Sequence, residues 1–181
     1  MTPLDLKCTS TPSVAHMSFA SQQPPDATTA SVVNAGAVRP PVVVLASLLS
    51  GAVLTAAWPL PFFPRVLRLP VGGLLVAMAA ALFSYSISQF RTAGTPVPSN
   101  KPTTAIVRTG PYRFSRNPIY LAFFALHLGL AICVNSLWLI ATLIATVAVI
   151  GVVVVPREER YLTRRFGAEY LEYKASVRRW L

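Results

Sequence analysis

Acid is scarce in this chain. Six Asp and Glu stand against 16 Lys and Arg among 181 residues. None of the six lies inside a long uncharged run. Charged residues make up 12% of the whole and hydrophobic residues 54%, where a globular domain carries roughly 25% charged residues. A water-soluble fold of this size has no interior large enough for so much apolar surface, so lipid must be part of its solvent. Cysteine is as sparse: Cys8 sits in a polar stretch and Cys133 near the end of an apolar run. The sequence therefore predicts no structural disulfide, and without a CxxC or Cys/His cluster it predicts no metal. Residues 1–38 also lack an early apolar segment and are rich in Ser, Thr, Pro, Gln and Ala. That composition argues against a signal peptide and for a disordered polar tail.

What is abundant is positive charge beside apolar runs. The net charge is +10. Such a balance can signal nucleic acid, but here the cations flank hydrophobic segments, as they do at the inner face of a membrane. Nucleic acid is therefore excluded as a partner, and the lipid bilayer is expected as one.

Three uncharged stretches predict four spans and an all-α integral membrane protein. Pro40 to Pro64 lies between Arg39 and Arg65 and gives a first helix at about 41–60, ended by Pro59, Pro61 and Pro64. Leu69 to Phe90 lies between Arg68 and Arg91 and gives a second at about 70–90. Asn117 to Pro156 holds 40 uncharged residues. As one helix it would be about 60 Å long, twice the hydrocarbon thickness, so it must be a hairpin. Asn135-Ser136 is the turn candidate, with helices at about 118–134 and 137–155. Beyond it, Leu162, Phe166, Tyr170, Tyr173, Val177 and Trp180 recur at steps of 4, 4, 3, 4 and 3. This is the apolar face of an amphipathic interfacial helix at about 157–178, with Gly167 as the place for a break. Residues 39–181 form the expected membrane domain. The N-terminal tail, the 91–116 loop and the C-terminal segment hold 14 of the 16 cations, so the positive-inside rule puts both termini and that loop in the cytoplasm.

The chemistry is expected at the two ends of the hairpin. Asn117-Pro118 reads as a helix start, a favoured N-cap followed by a favoured first residue. Such an end attracts anions, and Arg113 and Arg116 stand just before it; capping plus topological anchoring is the plainer reading. Glu158 and Glu159 close the other end, where solvated salt bridges to Arg157 and Arg160 are the plainer reading. His127 lies seven residues after Tyr120, on nearly the same face, inside a span. An ionisable group there is a functional candidate, the plainer alternative being a neutral His bonded to a neighbouring helix.

Taken in order, Thr104-Ala105-Ile106-Val107, Gly110-Pro111-Tyr112, Arg116-Asn117-Pro118-Ile119-Tyr120, Glu158-Glu159 and Phe166-Gly167-Ala168-Glu169-Tyr170-Leu171-Glu172-Tyr173 resemble the isoprenylcysteine carboxyl methyltransferase family. That family stands with the phospholipid methyltransferases among membrane enzymes that use S-adenosylmethionine. The resemblance covers about residues 70–181. It implies S-adenosylmethionine as cofactor, held by Thr104, Ala105, Ile106, Val107, Tyr112, Asn117, Pro118, Ile119, Tyr120, Glu158 and Glu159. Beside it, the reading of the residues themselves gives Arg116, Tyr120 and His127 as catalytic candidates. Two departures stand out: eukaryotic members carry His where this chain has Asn117, and an Arg near the end of the last span where this chain has Val152-Val153-Val154-Val155. They bear on the prenylcysteine substrate more than on the cofactor. The expected reaction is methyl transfer to a lipidic or membrane-bound acceptor, most like carboxyl O-methylation of an isoprenylcysteine-type substrate. A carboxylate acceptor is already ionised at neutral pH and needs no general base. The competing readings are phospholipid N-methylation and a non-enzymatic membrane adaptor that only holds anionic lipid.

Overall fold

The computed structural model describes residues 39–95 and 103–181. The expected tail, 1–38, lies outside the described residues. All described secondary structure is helical. Helix α1 spans Pro40–Ala57 with proline in its first turn, where a fixed φ favours the helix and no amide is missed. Trp58 and Pro59 stop it. Helix α2 spans Arg65–Thr92, beginning more than a turn before the predicted start at 70. Pro64 precedes the first turn, and Pro70 is carried inside the helix at the loss of one backbone hydrogen bond.

Helices α3, Pro118–Val134, and α4, Leu137–Val149, form the predicted hairpin around the predicted turn. Asn135 takes the left-handed conformation there, φ 59°, which asparagine tolerates better than most residues. Its Oδ1 accepts from the amides of Phe62 at 2.9 Å and Phe63 at 2.7 Å, and its Nδ2 donates to the Phe63 carbonyl at 2.9 Å. One side chain thus joins both turns at this end of the molecule. Ser136 caps α4 by accepting from the Leu139 amide and meets the Thr55 hydroxyl of α1.

The predicted boundary after residue 155 is absent. A π turn at Ile150–Val154 leads without interruption into α5, Val155–Phe166. Pro156 enters as the second residue of α5, where the widened ladder of the π turn tolerates its missing amide. The break comes instead at Gly167, φ 55°, and α6 follows at Ala168–Ser176. Among the described residues three helices are long and apolar enough to cross a membrane: α1, α2 and the continuous Leu137–Phe166. The 17-residue α3 is apolar but shorter.

The spans pack through small residues. A Cβ on Gly129 of α3 would lie 2.9 Å from the carbonyl oxygen of Gly72 on α2 and 2.9 Å from Val76 Cγ2. A Cβ on Gly72 would lie 2.8 Å from the Gly129 carbonyl oxygen and 2.6 Å from Cys133 Sγ. Lipid offers no hydrophobic drive for helices to associate, so close backbone approach of this kind carries the pairing. Gly129→Ala is expected to destabilise the fold by about 1–3 kcal/mol, read as a lower thermal midpoint in detergent; an unchanged midpoint would contradict the close crossing. Outside these seams Val42, Leu45, Leu49 and Val53 of α1 are exposed, as a lipid-facing surface requires. The turns at 58–64 and 135–136 occupy one end of the molecule. The start of α1, residues 103–117 and the segment after α4 gather at the other.

Candidate functional site

At that second end the residues enclose a cavity of about 200 Å³. Its polar wall begins in the segment 103–117. Gly110 adopts φ 60°, and a Cβ there would lie 2.9 Å from Gln89 Cδ, so the turn needs glycine twice over. The short 3-10 turn Gly110–Arg113 then presents Tyr112. Tyr112 is buried, with its ring 5.3 Å from that of Phe90 in an edge-on contact. Its carbonyl accepts from the Tyr173 hydroxyl at 2.8 Å. The Tyr112 hydroxyl itself has no hydrogen-bond partner among the described residues, nor has the buried Thr103 hydroxyl. Both residues line the cavity. Buried polar groups are nearly always paired, so these two mark a place where a ligand's polar atoms belong. Burial raises the Tyr112 phenol far above its ordinary pKa, with Tyr173 and then Glu158 adding to it. Burial, then Tyr170, does the same for Tyr173. Both stay neutral hydroxyls at physiological pH.

The adjacent acids on α5 have separate roles. Glu159 accepts from Arg179 Nε at 3.0 Å and Nη2 at 2.9 Å, and pairs with Arg116 at 3.0 Å and Lys174 at 3.3 Å. Its charge is fully engaged by cations from three different segments. Glu158 pairs with no cation among the described residues; its Oε1 accepts only the Tyr120 hydroxyl, at 2.6 Å. A carboxylate in the wall of an apolar cavity, without a cation in so basic a protein, is an open position for positive charge.

Further contacts close the site. Arg108 bridges Glu169 at 3.6 Å and Glu172 at 3.5 Å, and its guanidinium lies 5.8 Å from the centre of the Tyr173 ring. Arg165 Nε donates to the Thr103 carbonyl at 2.6 Å. The segment before the hairpin and the segment after it are thus bound into one wall.

Of the predicted site residues, Ala105, Ile106, Val107, Tyr112, Arg116, Asn117, Pro118, Ile119, Tyr120, Glu158 and Glu159 line the cavity. Thr104 does not: its amide and hydroxyl both bond Thr95 Oγ1 at 2.9 Å, and its neighbour Thr103 faces inward instead. His127 does not either. It is buried in α3, 3.3 Å from the Thr142 hydroxyl, and so takes the interhelical arrangement of the plainer reading. Asn117 holds the N-cap position of α3 without a side-chain cap; its Nδ2 donates to the Arg179 carbonyl at 3.0 Å. Glu159 is engaged by Arg116, Lys174 and Arg179 rather than by Arg157 and Arg160. The apolar face expected to lie on the membrane also turns inward: Leu162, Tyr170 and Tyr173 line the cavity. Periodicity revealed that face, and only the fold shows what it covers. Thr103, Phe83 and Phe123 carried no signal in the sequence. Among the described residues no three His, Cys, Asp or Glu side chains gather as a metal site.

A family profile described as Phospholipid methyltransferase matches residues 67–169 of the chain. This match runs from the start of α2 through the first residues of α6 and takes in the Tyr112 turn, Tyr120 and both acids. No curated protein and no solved structure matches the chain.

Proposed function

The chain belongs to the phospholipid methyltransferase family, and from that premise we propose that residues 39–181 transfer a methyl group from S-adenosylmethionine to a lipidic or membrane-bound acceptor. The observation that carries the cofactor is Glu158, held by Tyr120 alone beside a fully paired Glu159. The donor set fits the group. Glu158 suits the ammonium or a ribose hydroxyl, the unpartnered hydroxyls of Tyr112 and Thr103 suit its polar edges, and the Tyr112 and Tyr120 rings suit adenine or the sulfonium. Ala105, Ile106 and Val107 supply a backbone wall. When bound, the cofactor supplies a methyl group activated by a positive sulfur.

The chain's own work is then alignment and exclusion of water. Tyr120 holds the Glu158 carboxylate in one orientation. Phe83, Ile87 and Phe123, with Pro40 and Pro41, form an apolar wall suited to the acceptor's lipid portion. A carboxylate acceptor asks nothing more of the cavity, which favours carboxyl O-methylation of an isoprenylcysteine-type substrate. An amine headgroup, to which the family's description points, would first have to lose a proton; Glu158 is the one lining acid not engaged by a cation, and His127 lies off the cavity. By the positive-inside rule the cavity and both termini face the cytoplasm.

Calorimetric titration of S-adenosylmethionine into the detergent-purified protein tests the cofactor. Micromolar binding is expected, and Tyr120→Phe should weaken it about three- to tenfold, the worth of one typical net hydrogen bond, since Glu158 itself stays in place for the ligand. A folded protein that binds lipid but not the cofactor would favour the adaptor. Methylated phosphatidylethanolamine on expression would move the acceptor from carboxylate to amine.

A further inference from the structure

Tyr120 and Glu158 stand on helices that share no extended interface: α3 packs on α1, α2 and α4, while α5 leans on the π turn and on α6. Their 2.6 Å hydrogen bond is braced on one side by Tyr120 packing on Ile150, Val154 and Val155, where the π turn runs into α5, and a second brace comes from the segment after α6. Residues 177–180 run between the two helices as a strap. Toward α3, the Arg179 carbonyl accepts from Asn117 Nδ2 at 3.0 Å and from Ser115 Oγ at 3.2 Å, and the Arg178 carbonyl accepts from the Arg116 amide at 3.0 Å. Toward α5, the Arg179 guanidinium grips both oxygens of Glu159, the residue next to Glu158. Beyond it, Trp180 packs against the buried cluster of Val44, Tyr120, Ile150, Val154 and Val155. Its ring lies 5.7 Å from that of Phe124, and its Cζ2 would touch a Cβ on Gly151, in the π turn, at 3.7 Å. Neither Arg179 nor Trp180 lines the cavity.

We infer that Arg179 and Trp180 are positioning residues for the Tyr120–Glu158 pair: the strap fixes how α5 stands against α3 and so aims the carboxylate offered to the ligand. Arg179 ties the two helices by their polar ends. Trp180 wedges the apolar side, where Tyr120 and the π turn meet. The inference rests on the proposed function only in the choice of ligand.

Calorimetry with S-adenosylhomocysteine and hydrogen exchange of the ligand-free protein test it together. Trp180→Ala is expected to weaken binding about tenfold, Trp180→Phe by less than about threefold, and Trp180→Ala in a Tyr120→Phe background by less than about threefold further, since residues acting through one contact are non-additive. Wild-type affinity in Trp180→Ala, or the same loss in both backgrounds, would overturn the assignment. In the ligand-free protein, peptides covering 115–121 and 156–160 should exchange faster in Trp180→Ala; unchanged exchange there would also overturn it. A wild type that binds no ligand would sink the methyltransferase reading, and the exchange result would still decide the strap.

Discussion

Glu158→Ala is expected to weaken S-adenosylmethionine binding by at least about a hundredfold, the scale of losing one partner of a desolvated charge pair. Its unfolding midpoint in detergent should change little. Tyr120 is the side chain that bonds Glu158, and no cation among the described residues depends on it. Glu158→Gln keeps the shape and most of the hydrogen bonding, so a loss of similar size there would assign the effect to charge. Calorimetry on the two variants reads both outcomes. Wild-type affinity in Glu158→Ala would remove the central residue of the proposed site.

Its neighbour should behave in the opposite way. Glu159→Ala leaves the Arg116 guanidinium, whose side chain is 9% exposed, without its counter-charge. Lys174 and Arg179 are 41% and 39% exposed and can turn to water. Breaking a wholly buried pair costs about 3–5 kcal/mol; discounting the two exposed partners leaves a loss of about 2–3 kcal/mol. Thermal and denaturant unfolding in detergent should show it, with the strap at 177–180 released from α5. If Glu159→Ala unfolded like the wild type while Glu158→Ala unfolded early, the division of roles between the two acids would be reversed.

Much of this architecture was legible because membranes impose simple rules. Forty residues without charge could not be one helix, and Asn135-Ser136 stood where a turn was needed; both hold in the structure. The two ends of the hairpin converge on one cavity, lined by Tyr112 and Tyr120 from one end and by Glu158 and Glu159 from the other. What stayed hidden has physical reasons. The π turn lies in a run of valines with no cap or glycine to mark a change of ladder, apart from Gly151. The uncharged run between Arg68 and Arg91 marks only the apolar part of α2, whereas the helix itself begins at Arg65 and carries Arg68 and Pro70 inside it. The Tyr170 and Tyr173 face was visible as a period, but a period of 3.6 is the same whether lipid or protein covers it. Thr103 and Thr104 are chemically alike, and only backbone direction decides which of them looks inward.

The placement of α1 ties the site to the bilayer itself. With 18 residues, α1 is about 27 Å long, a little shorter than the roughly 30 Å hydrocarbon core of an average membrane. A helix that is too short for its membrane must thin the bilayer around it or draw its flanking residues toward the interface, and Arg39 is the residue placed to do so. The first two residues of α1, Pro40 and Pro41, line the cavity. Any adjustment of α1 to membrane thickness therefore moves part of the wall of the site. Hydrophobic mismatch, usually a matter of where a protein resides, becomes here a variable of the cavity's shape.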